Sequence, residues 1–132
     1  MSARILVIED NEENLALVDY LLRAHGYDTL LARTGADGLE YATSAKPDLI
    51  LLDVRMPFMD GYEVARAIRT DHALDAVPIV AVTASAMVGD RERISRAGFD
   101  HYVQKPIDPE TFIAEVERCI AAGSGVDATE AP

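Results

Sequence analysis

The chain has 132 residues, of which 49% are hydrophobic and 27% charged, as is typical of one soluble globular domain with its own core. Its 23 acidic and 12 basic residues give a net charge of −11, which disfavours nucleic acid and anionic membranes as direct partners. The single cysteine, Cys119, excludes an intrachain disulfide and a multi-cysteine metal site. The first apolar stretch, Ile5 to Ile8, is too short for a signal peptide or a membrane span, so we expect a cytoplasmic protein.

Five short apolar segments predict β-strands, and a segment with helical spacing follows each one. In chain order the strand segments read RILVI, DTLLA, DLILLD, VPIVAV and HYVQ. The first helix is predicted from an apolar stripe of Leu15, Val18 and Leu22. The second is predicted to begin after Thr34, because a threonine followed three positions later by an acid, here Asp37, is typical of a helix start.

The remaining helices differ in the strength of their signals. The third is predicted from about Gly61 to Thr70, and the fourth from about Ala86 to Ala97. The fourth is weak, because it contains Gly89 and few large apolar residues. The last is predicted to open with Asp108 as its capping residue and Pro109 in its first turn.

The alternation of strand and helix predicts an α/β fold with a parallel sheet between two layers of helices. The pattern alone leaves the strand order open, and the order 2-1-3-4-5 of flavodoxin-like folds is the common arrangement of five such strands. We expect one domain over residues 1–122. Residues 123–132, GSGVDATEAP, lack a core pattern and are predicted to form a flexible tail.

Charged and polar residues follow the predicted strands where each strand ends. The run Leu49 to Leu52 is typical of a strand buried on both faces, and it ends on a carboxylate, Asp53, before Pro57 prevents further pairing. The equivalent positions after the first, fourth and fifth strands hold Glu9, Asp10, Thr83, Ala84, Lys105 and Pro106. Because the carboxyl ends of parallel strands meet at one edge of a sheet, we expect three carboxylates, a hydroxyl and an ammonium to converge there.

Such a set of groups suits Mg²⁺ and phosphoryl transfer. Carboxylates packed together repel one another unless a cation joins them, and hard oxygen ligands favour Mg²⁺. Phosphoryl transfer requires neutralisation of charge more than it requires acid–base catalysis. A carboxylate can itself carry the phosphoryl group as an acyl phosphate. Asp53 is therefore the candidate acceptor.

These residues resemble the receiver domain of response regulators in two-component signalling. The resemblance covers about Arg4 to Ala122 and is carried by Glu9-Asp10, DVRMPFMDGYE around Asp53, Thr83-Ala84 and Lys105-Pro106. It implies a single-domain response regulator with its receiver domain over residues 1–122. Such a domain accepts a phosphoryl group on Asp53 from a sensor histidine kinase or a histidine phosphotransfer protein. It then acts on a downstream protein target through the surface formed by its fourth helix, fifth strand and last helix.

The resemblance implies a role for each charged residue of the set. Glu9, Asp10 and Asp53 hold Mg²⁺ together with the backbone carbonyl of Arg55. Lys105 pairs with the phosphoryl oxygens. Glu9 stands where the family often has a second aspartate, so we expect the affinity for the metal to be retuned rather than lost.

The resemblance also implies a conformational switch and a means of setting its lifetime. Thr83 moves to hydrogen-bond the modified group, and Tyr102 follows by a change of rotamer. The peptide bond before Pro106 is expected to be cis. Arg55 and Ser85, two residues after the acceptor and the switch threonine respectively, are expected to flank the path of an attacking water and to tune the phosphoryl lifetime.

Three other functions share part of this pattern. A docking module with the same fold that works without phosphorylation is the main alternative, although a pure binder has no need of the acids, threonine and lysine together. An enzyme of the haloacid-dehalogenase-like class is disfavoured, because such enzymes usually have a second acid where this chain has Arg55. A flavin-binding protein of similar architecture is also disfavoured, because the acidic segment EDNEEN would repel the flavin phosphate. We therefore expect no catalysis beyond the domain's own phosphorylation and dephosphorylation. The sequence leaves open the cognate kinase, the target, the phosphoryl lifetime, phosphorylation-dependent dimerisation and whether the tail is a natural terminus.

Overall fold

The computed structural model describes residues 3–85 and 87–123. Its strands are β1 (Arg4–Ile8), β2 (Asp28–Ala32), β3 (Leu49–Asp53), β4 (Ile79–Thr83) and β5 (His101–Gln104). Its α-helices are α1 (Glu12–Ala24), α2 (Gly35–Ala45), α3 (Gly61–Arg69), α4 (Val88–Arg96) and α5 (Phe112–Ala122), and a short 3₁₀ helix spans His72–Leu74. Of the tail predicted over residues 123–132, only Gly123 is among the described residues.

The strands form one parallel sheet in the order β2-β1-β3-β4-β5, which confirms the predicted fold and strand order. β3 and β4 are buried along their whole length, because helices cover the sheet on both faces. Alternate residues of the central strands pack with α1 and α5 on one face, and with α2, α3 and α4 on the other. Among the described residues, no helix combines the length and the apolar composition that a membrane span requires.

Side-chain caps fix the start of the helices that follow β1, β2 and β3. The carboxamide of Asn11 accepts a hydrogen bond from the backbone N–H of Asn14 at the start of α1. Thr34 accepts one from Asp37 at the start of α2, which confirms the predicted start. Before α3 the cap is reciprocal, because Asp60 accepts from the N–H of Glu63 while the Glu63 carboxylate accepts from the N–H of Asp60.

Gly61 allows the loop after β3 to fold back against the end of that strand. Its N–H donates to the carbonyl of Val54 at 3.1 Å. A Cβ at this position would lie 2.3 Å from the carbonyl oxygen of Asp53 and 2.6 Å from the Cα of Val54. Only a glycine fits this close approach, so the loop and the end of β3 are held as one unit.

The predicted start of α5 is wrong by several residues. Asp108 does cap a turn, since its side chain accepts from the N–H of Glu110, and its carbonyl accepts from the N–H groups of Thr111 and Phe112. The regular helix begins only at Phe112, with Thr111 as its capping residue, so the turn that Asp108 caps precedes the helix and does not open it. α4 begins at Val88, and the predicted first residue of that helix, Ala86, lies outside the described residues.

Candidate functional site

The carboxyl edge of the sheet brings three carboxylates together. Glu9 and Asp10 follow β1, and Asp53 is the last residue of the neighbouring strand β3. One ligand oxygen from each of the three residues lies within 4.8 Å of the others. Asp53 and Glu9 are only 3% and 4% exposed, whereas Asp10 is on the surface. The strand positions therefore place two buried acids and one exposed acid around a common point, as the sequence predicts.

Lys105 is the cation that the fold places beside these acids. It follows β5, and its Nζ lies 3.2 Å from Oδ1 of Asp53 and 3.6 Å from Oε1 of Glu9. Oδ1 of Asp53 also accepts a hydrogen bond from the backbone N–H of Arg55 at 3.0 Å. One ammonium faces three carboxylates, so the group carries excess negative charge when all three acids are ionised.

The burial and the negative charge of this group affect the pKa of Glu9. The pKa of Glu9 is raised to about 7, chiefly because the carboxyl is buried, and also because of the hydrogen bond with Asp53 and the negative charge of that residue. The backbone N–H of Asn11, which donates to Oε2 of Glu9 at 3.2 Å, and the charge of Lys105 act in the opposite direction. Near neutral pH the cation-free site therefore takes up a proton readily, and a metal ion can relieve the same repulsion.

Thr83, the last residue of β4, holds its hydroxyl against the following loop. The side chain is 5% exposed, and Oγ1 donates to the carbonyl of Ser85 at 2.9 Å and accepts from the N–H of Ser85 at 3.1 Å. The hydroxyl of Ser85 in turn donates to Oδ2 of Asp90 at 2.5 Å. The carbonyl of Thr83 accepts from the N–H of Lys105 at 2.7 Å, which joins the ends of β4 and β5.

The other predicted residues differ in their location and exposure. The side chain of Arg55 is exposed beside the acceptor. Tyr102 lies in β5 opposite Ala81 of β4, and 41% of its surface is exposed. The Lys105–Pro106 peptide bond is cis. A cleft of about 690 Å³ borders the site, and its walls include Arg55, Tyr62, Thr83, Ser85, Asp90 and Arg93.

Asp90 and Arg93 are the polar residues near the site that sequence reasoning missed. Both lie on α4, and the guanidinium of Arg93 stands 4.1 Å above the ring of Tyr62 from α3. The weak helical pattern around Gly89 indicated only that a helix was present. Which of its charged residues face the cleft depends on how α4 packs, so the spacing carried no signal for this contact.

The fold and the site together agree with one protein family. A sequence model of the response regulator receiver domain matches residues 5–117. The chain belongs to the response regulator receiver domain family. The receiver domain is 40% identical over 117 residues to the polar-differentiation response regulator DivK of Brucella ovis, and the match covers 89% of this chain and 95% of that protein.

Solved structures show the same architecture. The chemotaxis response regulator CheY4 of Vibrio cholerae superposes with a TM-score of 0.87 and 28% identity, and the match covers 90% of this chain and 99% of that chain. The receiver domain of a sensor histidine kinase from Pseudomonas aeruginosa superposes with a TM-score of 0.83 and 36% identity, covering 92% and 99%. That Pseudomonas structure has a magnesium ion coordinated in its active-site cleft. These likenesses confirm the predicted family and a role in response regulator signalling.

Proposed function

We propose that this receiver domain accepts a phosphoryl group on Asp53 from a phosphohistidine of a sensor kinase or of a histidine phosphotransfer protein. The observation that carries the proposal is the surroundings of Asp53, a carboxylate at the end of a buried strand with the ammonium of Lys105 at 3.2 Å. Two further carboxylates share the same point, which is an unfavourable arrangement for a purely structural site. It suits a site that receives a cation and a phosphoryl group together.

The residues present fit Mg²⁺, because they offer hard oxygen ligands with a net negative charge. Glu9, Asp10 and Asp53 would hold the ion, with the backbone carbonyl of Arg55 as a further ligand. The magnesium ion in the related Pseudomonas receiver domain supports this assignment. When bound, the ion supplies positive charge that offsets the charge of the phosphoryl oxygens.

Each residue of the site would then have its own role in the transfer of the phosphoryl group. An oxygen of Asp53 forms a bond to phosphorus as the bond between phosphorus and the donor nitrogen breaks, and the donor imidazole leaves with that electron pair. Lys105 neutralises the phosphoryl oxygens from the side of β5. Thr83 turns its hydroxyl from the carbonyl of Ser85 to the modified group. Water later attacks phosphorus and releases inorganic phosphate, which restores Asp53, and the domain catalyses no other reaction.

The modified domain would signal through the surface of α4, β5 and α5. Tyr102 is exposed on that surface. It would change rotamer as Thr83 moves. Ile94 is the only residue of the described helix α4 that is buried, so few contacts oppose a shift of this helix. The partner would be a separate downstream protein, and we leave the oligomeric state of the modified form to measurement.

We propose that the exposed side chain of Arg55 tunes the lifetime of the phosphoryl group. Its backbone N–H is bonded to Asp53, so the guanidinium stands on the loop that borders the acceptor. Ser85 lines the same cleft as Arg55. We expect Arg55→Ala to change the rate of autodephosphorylation, measured as loss of phosphoprotein after the donor is removed. An unchanged rate would refute this role of Arg55.

Incubation with phosphoramidate tests the proposal directly. Intact mass would be measured with and without Mg²⁺ for the wild type, for Asp53→Ala and for Asp53→Asn, which keeps the shape of the side chain. The expected result is a gain of one phosphoryl group that requires Mg²⁺ and is absent from both variants. No gain in the wild type would contradict the proposal and favour a docking module of the same fold that works without phosphorylation.

A further inference from the structure

Asp90 joins the loop after β4 to helix α4 through one short hydrogen bond. It lies in the first turn of α4, and its Oδ2 accepts from the hydroxyl of Ser85 at 2.5 Å. Hydrogen bonds to an ionised carboxylate are stronger than those between neutral groups. The backbone of Ser85 is also bonded in both directions to the hydroxyl of Thr83. The three side chains therefore form a continuous series from the end of β4 to α4.

Helix α4 has few other attachments that would fix its position. Its capping residue, Met87, makes no side-chain hydrogen bond to the helix. Among the helix residues Val88 to Arg96, only Ile94 is buried. The contact of Arg93 with the ring of Tyr62 ties it to α3. The bond between Ser85 and Asp90 is thus the side-chain hydrogen bond that links α4 to the acceptor edge of the sheet among the described residues.

We propose that Asp90 is a positioning residue that couples occupancy of the acceptor site to the position of α4, by holding the hydroxyl of Ser85. This inference rests on the proposed function of Asp53. A group on Asp53 that draws the Thr83 hydroxyl must take it from the carbonyl of Ser85, since a hydroxyl has one proton to donate. The peptide of Ser85 then loses that constraint and moves, and its side chain transmits the displacement to Asp90.

The test follows backbone amide signals by NMR while beryllofluoride, a mimic of a phosphoryl group, is added with Mg²⁺. In the wild type we expect shifts both at Thr83 and along α4. In Asp90→Ala and in Ser85→Ala the shifts at Thr83 persist, whereas those along α4 fall at least about threefold, because one hydrogen bond to a charged group carries the coupling. The double variant shows no further loss, because either single change removes the same bond.

Two further variants separate positioning from a general effect on the helix. Asp90→Asn keeps an oxygen that accepts from Ser85, so it should retain most of the shift along α4. Glu92→Ala removes an exposed acid from the same helix and should behave as the wild type. Cooperative urea unfolding of each variant checks that it is folded, and Ser85→Ala tests the same bond from its other side should Asp90→Ala fail to fold.

The outcomes distinguish the two proposals. Shifts along α4 in Asp90→Ala and Ser85→Ala that equal those of the wild type and of Glu92→Ala would overturn the role of Asp90 while the acceptor site stands. An absence of any Mg²⁺-dependent shift at Asp53 or Thr83 in the wild type would overturn the proposed function, and the coupling with it.

Discussion

Replacement of Gly61 by alanine tests whether the close approach of the loop to the end of β3 is required. The new Cβ would lie 2.3 Å from the carbonyl oxygen of Asp53, about 1 Å short of the 3.4 Å at which ordinary contact begins. The opposing atoms belong to the backbone, so they cannot rotate away as a side chain would. Such overpacking costs roughly 1–3 kcal/mol. We expect the free energy of unfolding to fall by about that amount, and the rate of phosphorylation by phosphoramidate to fall as Asp53 is displaced.

Gly89→Ala provides the matched control, because Gly89 also lies near the start of a helix and a Cβ there would meet nothing within 4 Å. Alanine is the better helix former by up to about 1 kcal/mol, so this variant should be more stable than the wild type. Urea unfolding followed by circular dichroism gives both free energies. If Gly61→Ala were as stable as the wild type, or gained stability as Gly89→Ala does, the reasoning from the contact with Asp53 would be refuted.

Three further predictions concern the titration, the packing and the backbone of other residues. Because folding raises the pKa of Glu9 from 4.5 to about 7, the cation-free fold should lose stability as the pH rises between these values, and Mg²⁺ should bind more tightly over the same range. Urea unfolding in a chelator and calorimetric titration with Mg²⁺ measure both effects, which should shrink in Glu9→Gln; equal pH slopes in the two proteins would contradict the assignment. Arg69 bonds the carbonyls of three residues and the carboxylate of Asp100, so Arg69→Met should lower the free energy of unfolding by about 3 kcal/mol, whereas exposed Arg66→Met should change it little. Phe58 is fully exposed, at 104%, and its φ of +69° costs a residue with a Cβ roughly 1–2 kcal/mol. Glycine avoids this cost but loses about 0.5–1 kcal/mol more conformational entropy on folding, so Phe58→Gly should be about 0.5–1 kcal/mol more stable than the wild type by urea unfolding, whereas Phe58→Ala should not. Equal stability of the two variants would show that the backbone is unstrained.

The sheet and the convergence of acids, threonine and lysine could be predicted because local sequence determines them. The run from Leu49 to Leu52 has the composition of a strand buried on both faces, and Asp53 comes where that strand must end. Strand order required the common pattern of such folds, or the resemblance to receiver domains, because alternation alone does not fix which strands are neighbours.

Contacts that depend on how separate segments pack together could not be predicted from the sequence. The bond from Ser85 to Asp90 exists because α4 turns one of several charged residues towards the cleft. The start of α5 was misplaced for a different reason. Asp108 and Pro109 are suited to the first turn of a helix, and they do form a capped turn, but the regular helix begins only after Thr111.

The crowding of like charge at the carboxyl edge has a consequence for how this protein can be stabilised. On the proposed function, the site must leave its carboxylates without a metal ion or phosphoryl group when it is empty. The empty site then carries an electrostatic penalty that no local substitution can remove without loss of the proposed chemistry. The two apolar layers that sandwich the sheet must supply the compensating stability. Engineering for heat resistance should therefore target those layers and the helix surfaces, where gains come without a loss of reactivity.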